Sequence, residues 1–211
     1  MSHRLSIRLK QATQPHHQRA ESCRLLQRLL SPAATRRDYV AWLVALRPLM
    51  ERLDNFIAQG MQRFPDAPAY RSRAALIAAD LALLEQAGVA HEHRRNHREI
   101  GGESAIAYAH LDGALAGVGV IGGYYVVEGS ANGGRVIADQ LHRRWGATIA
   151  PMLSYLTLDR PLQEPLRADW SDPHPQHWSA ITGWLDRWGD SAPDHGDAII
   201  NGAKTTFDAY I

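Results

Sequence analysis

Apolar residues recur along this chain at three- and four-residue steps, and nowhere alternate as a half-buried strand would require. Leu5, Leu9, Ala12, His16, Ala20, Leu25 and Leu29 keep a loose helical spacing. Pro15 falls inside that pattern, where its ring and missing N–H oppose a helix. Thr13 just ahead can cap a fresh turn, which leaves Pro15 harmless in the first turn. The reading is one helix from about Thr13 to Leu30. Ser31-Pro32 ends it, and Thr35 with Asp38 three residues on opens the next in a capping-box-like arrangement. Tyr39, Leu43, Leu46, Met50, Leu53 and Ile57 then mark one face of a long amphipathic helix, bent at Pro48. A third helix covers roughly Tyr70 to Gln86. Residues 89–102 are a polar connection, and helix resumes over about Ser104 to Ala116 and again from about Val118 to Trp145. Residues 150–175 hold five prolines and read as a short helix with loops. Trp178 to Trp188 and Asp197 to the C-terminus complete the set. The pattern predicts an all-α fold, and 211 residues suit one domain over 1–211.

One helix contradicts its own composition. The segment over 118–145 contains Gly122, Gly123, Gly129, Gly133 and Gly134. Each glycine inside a helix costs about 1 kcal/mol against alanine, so five require a compensating reason. Gly129 and Gly133 are one turn apart on the same face, with Gly134 beside them. A face without side chains serves either close packing of another helix or a wall along which something large and flat can lie.

Hydrophobic residues at 45% and charged residues at 21% are those of a soluble globular protein. A net charge of +1 argues against a dedicated nucleic-acid binder. Cys23 is the single cysteine, which excludes an internal disulfide and fits a reducing compartment. The opening MSHRLSIRLKQAT has no apolar signal core. No run of about 18 apolar residues occurs. The expectation is a cytoplasmic protein without a membrane span.

Candidate chemistry begins with His17 and Glu21, four residues apart and so on one helical face. A histidine that ligates a metal needs its second ring nitrogen held by an acceptor, and Glu21 is placed to be one. The same spacing is also that of a plain surface ion pair. Lys10, two turns before His17, lies on that face and could meet an anionic group.

Residues 9–21, LKQATQPHHQRAE, resemble the first helix of heme oxygenases, and residues 124–137, YYVVEGSANGGRVI, resemble their distal helix. Residues 202–211, GAKTTFDAYI, are similar to the closing segment of that family. The resemblance implies a helical bundle with heme between the first helix and a kinked glycine-rich distal helix. It places the iron on His17, with Glu21 as its acidic partner and His16 an incidental neighbour. Lys10, Tyr125, Gly129, Gly133, Arg135 and Phe207 become further heme contacts, with Arg187 a second propionate candidate. Gly129, Ser130, Gly133 and Gly134 become the distal wall that admits O₂ and ordered water. Some family members carry an aspartate where this chain has Ser130, and Asn132 also departs from the pattern. The implied activity is oxidative opening of heme to biliverdin with release of CO and iron. Electrons would come from a ferredoxin or flavoprotein reductase, and a bacteriophytochrome is a possible recipient of the bilin. A non-degrading heme carrier on the same fold is the alternative.

Other features carry less. His91, His93 and His97 lack a carboxylate or cysteine arrangement of recognised metal spacing. Arg94, Arg95 and Arg98 beside them form a solvated basic patch or a docking face for an acidic electron donor. His110, His142 and the tryptophans at 170, 178, 184 and 188 read as structural.

Overall fold

A computed structural model describes residues 4–89, 109–158 and 173–211, and among them every regular element is a helix. Helix α1 spans Leu5–Glu21, α2 Arg24–Leu30, α3 Arg36–Gly60 and α4 Ala74–Gln86. A helical stretch over 109–114 precedes α5, Gly119–Trp145. Then come α6, Ser154–Thr157, α7, Pro173–Ser191, and α8, Gly196–Asp208. All of these share one hydrophobic core. Among the described residues no helix is long and apolar enough to cross a membrane.

The first helix differs from the expectation at both ends. It starts at Leu5, holds Pro15 in its interior, and breaks at Ser22 and Cys23 before α2. Pro15 removes one rung of the ladder at a cost of about 3 kcal/mol. Leu5 and Leu9 bury fully beneath α7 and α8, and that burial holds the N-terminal turns in place. The break has local causes. Ser22 Oγ donates to Arg19 O at 2.8 Å, Gln27 Nε2 donates to Glu21 O at 2.7 Å, and Cys23 takes an extended backbone.

Helix α3 matches its pattern closely. Thr35 and Asp38 form the reciprocal capping box, and all six residues of the expected apolar face are buried. The next helix starts later than its sequence suggests. Asp54, on α3, accepts from Ser72 Oγ at 2.6 Å, Arg73 N at 3.0 Å and Ala74 N at 2.8 Å, and also from the Tyr70 hydroxyl. Residues 70–73 are drawn onto that carboxylate, so α4 begins at Ala74 instead of Tyr70. Asp80 on α4 repeats the device for α6, accepting from Ser154 N at 2.8 Å and Tyr155 N at 2.9 Å. Each buried acid caps a helix from a different part of the chain.

Helix α5 is continuous through all its glycines and ends at Gly146, whose φ of +76° an L side chain rarely adopts. Its N-terminal half lies directly on α8. A β-carbon at Gly122 would fall 2.5 Å from Ala203 N and 3.0 Å from Gly202 C. One at Gly202 would fall 3.1 Å from Gly119 Cα. These glycines serve close backbone packing, the first of the two readings of a bare helix face.

Candidate functional site

The second half of α1 supplies the clearest candidate. No residue of α1 after Thr13 is buried, so this stretch lies on the core without being covered by it. Its two histidines are treated differently. His16 Nδ1 lies 2.7 Å from Asp208 Oδ1 on α8, an oxygen that also accepts from Arg19. His16 is thereby engaged in joining α1 to the end of α8. His17 is 55% exposed, and its Nδ1 stands 3.4 Å from Glu21 Oε2. Phe207 of α8 meets the His17 ring edge-on with centroids 5.5 Å apart. A carboxylate beside Nδ1 favours the tautomer with its proton there, so Nε2 presents a lone pair outward. His17, Glu21 and Phe207 are thus brought together, and Lys10 is exposed two turns earlier on the same helix.

Opposite this helix, α5 approaches through Tyr125, whose phenol is buried near the Thr13 hydroxyl. Burial pushes the Tyr125 pKa up, and the Thr13 hydrogen bond offsets part of the rise. The glycine face beyond Tyr125 is not uniform. Gly129 lies under the Trp178 indole, 3.1 Å from a β-carbon built there, and Gly134 backs onto Leu156 O at 3.0 Å. Gly133 has open space for 4 Å around that position. Only Gly133 of the three is bare and also clear, while the Trp178 and Tyr125 rings meet at a tilt of 42° with centroids 5.3 Å apart. Ser130 is exposed and donates to Val127 O at 2.8 Å. Asn132 donates to Gly129 O at 3.3 Å, and Arg135 is half-buried and has interaction partners.

No protein-family model, curated protein or solved structure matches the chain. Its function is therefore read from its own residues.

Sequence reasoning missed a second constellation on the same helix. Glu128, 1% exposed, lies just before Gly129. Its Oε2 is 2.9 Å from Arg73 Nη2 and 3.2 Å from His177 Nε2. Arg73 is 2% exposed and His177 27%. Four tyrosines gather around the pair. Burial raises the pKa of Tyr70, Tyr124, Tyr155 and Tyr210, and the Arg73 charge offsets part of the rise in each. Tyr210 is pushed up to about 12, and the Ser130 hydroxyl beside it also lowers the value. The available signal was one acid within the apolar run YYVVEG, since a charge at a core position is retained only where something pairs with it.

Arg187 is exposed on α7. His91, His93, His97 and the arginines beside them lie outside the described residues, as does Trp170. Among the described residues no group of three potential metal-binding side chains occurs. A shallow groove of about 380 Å³ runs between Ala58, Phe64, Pro65, Pro68 and Tyr70. None of the sequence-predicted site residues lines it.

Proposed function

We propose that the protein is a heme oxygenase, with heme as both cofactor and substrate, opened by O₂ and reducing equivalents to biliverdin, CO and ferrous iron. The observation that carries this reading is His17, an exposed imidazole with an acid at one nitrogen and an aromatic edge against its ring. The residues fit the group. Nε2 of His17 is the side that would meet iron, Glu21 would hold the ring's tautomer, and Phe207 would limit its rotation. Lys10 supplies a positive charge for an anionic edge, and Arg135 on α5 is the second candidate. Gly133 leaves room where a side chain would otherwise stand. Ser130 gives its proton to Val127 O, so its oxygen remains able to accept from water. When bound, heme supplies the iron and the macrocycle that react with O₂. The protein supplies the ligand, the shape of the cleft and the polar groups that order water. A ferredoxin or flavoprotein reductase is the proposed electron donor, and a bacteriophytochrome a proposed acceptor of the bilin.

A hemin titration tests it. A Soret band should form, vanish in His17→Ala and persist in His16→Ala, whose imidazole is engaged with Asp208. Retention in His17→Ala would refute the ligand. Under air with ascorbate the band should decay as the red absorbance of an open tetrapyrrole grows. A heme carrier is the second reading, favoured by the Trp178 ring over Gly129, and a Soret band unchanged under those conditions would select it. Gly133→Leu should block turnover, and normal product from that variant would refute the placement of the distal wall.

A further inference from the structure

Arg73, Glu128 and His177 come from three separate elements and meet behind the glycine face. A buried ion pair kept only for stability should have its remaining donors and acceptors satisfied, because a half-satisfied pair is worse than an apolar core. This one is not. Arg73 Nη1, Glu128 Oε1 and Tyr210 Oη are buried, and none has a hydrogen-bond partner of proper geometry among the described residues. Orphaned polar atoms of this kind mark a place for ordered water. One end of the cluster reaches solvent at His177, and the other reaches Ser130 on the exposed side of α5 through Tyr210.

We infer that Arg73, Glu128 and His177 form a relay that carries protons from solvent through an internal water to the Ser130 and Tyr210 hydroxyls beside the glycine face. The inference rests on the oxygenase reading, which needs protons delivered on that side of the cleft. Every step is a proton transfer with no covalent or redox change. Protonated His177 gives the proton on Nε2 to Glu128 Oε2 and then recovers one from solvent. The carboxyl then rotates about its terminal bond to present that proton to the bridging water, which gives one of its own to the Tyr210 oxygen. Tyr210 hands its former proton to Ser130, which releases its own toward the acceptor beside the glycine face. Arg73 stays protonated and keeps Glu128 ionised between transfers. Besides Arg73 and His177, the groups around the cluster are Tyr124 on α5 itself, Tyr155 on α6, and Asp54 with Tyr70 on the far side of Arg73. Among the described residues, His177 is the histidine in direct contact with the carboxylate.

Two experiments test the relay. A crystal structure of the heme-free protein, at a resolution that reveals water, should place one within hydrogen-bond distance of Arg73 Nη1 and Glu128 Oε1. A dry cluster overturns the inference. In the hemin-loaded protein, His177→Ala should leave hemin affinity within about twofold. It should lower turnover by about tenfold or more. Added imidazole should restore the rate in proportion to its protonated fraction, which a merely structural role for His177 would not produce. Turnover left intact by His177→Ala, or lost without any response to imidazole, overturns the relay alone. Wild-type protein that refuses hemin overturns the oxygenase reading and the relay with it.

Discussion

A single methyl group at Gly122 should separate two helices that now touch through their backbones. The β-carbon of Gly122→Ala would lie 2.5 Å from Ala203 N and 3.0 Å from Gly202 C, and closer still to Ile199 O. All three are main-chain atoms of α8, so no rotamer change can relieve the contact. Apolar atoms rest at about 3.5–4.0 Å, so α8 must retreat by roughly 1 Å. Overpacking of this kind costs about 1–3 kcal/mol, and a backbone clash belongs at the upper end. Helix propensity returns about 1 kcal/mol, which leaves a net loss of about 2 kcal/mol. For a chain of this size that lowers Tm by about 4–8 °C. Gly133→Ala in the same helix meets nothing within 4 Å. It keeps only the propensity gain of about 0.5–1 kcal/mol, and its Tm should rise by about 1–4 °C. Thermal unfolding followed by far-UV circular dichroism measures both. A Gly122→Ala protein as stable as the wild type, or two variants that shift in the same direction, would refute the assignment of these glycines.

Asp54→Ala strands the backbone N–H groups of Arg73 and Ala74 and the hydroxyls of Ser72 and Tyr70, and should cost about 3 kcal/mol, seen as a lower urea midpoint. An unchanged midpoint would mean that the α4 start does not depend on this carboxylate. Burial raises the pKa of Asp80, partly opposed by hydrogen bonds from Tyr155 and Ser154. The folded state therefore holds that proton to higher pH than the unfolded chain. The contribution is fully present below the unfolded value of about 4 and is lost as pH rises through the folded one. Urea unfolding of Asp80→Asn across that range should lack this decline, and curves parallel to the wild type would contradict the sign. Trp178→Ala removes the ring that covers Gly129 and should speed hemin uptake in stopped flow, so equal rates would show that the indole does not control access to that glycine.

What the sequence revealed was local. The capping box of Thr35 and Asp38 and the buried face of α3 need only neighbours within a few residues, and both appear as read. The starts of α4 and α6 were illegible because their caps are aspartates 19 and 75 residues away, on helices that must first be packed. Pro15 misled for the same reason, since its penalty is local while the burial of Leu5 and Leu9 that overcomes it is tertiary. The His17 and Glu21 pair could be seen from spacing alone, whereas Phe207 entered only through the family resemblance. The ambiguity of the glycine helix resolves unevenly. Gly119 and Gly122 belong to packing against α8, Gly129 and Gly134 are covered, and only Gly133 has the clear space that a ligand wall requires. The relay residues stayed hidden because Arg73, Glu128 and His177 converge only in three dimensions.

The backbone seam between α5 and α8 also decides what can move. At Gly122 and Gly202 the two helices meet backbone to backbone, with no side chain between them to slide or repack, and there they form a single stiff beam. Gly133 and Phe207 lie on the same two helices, C-terminal to that seam. For the proposed heme to enter between α1 and α5, the movement falls to the half of α1 beyond Thr13. It is anchored at its far end by the His16 and Arg19 contacts to Asp208, and it is weakened at the rung that Pro15 leaves out. Movement of that half should begin at those contacts, with the beam stationary beside it.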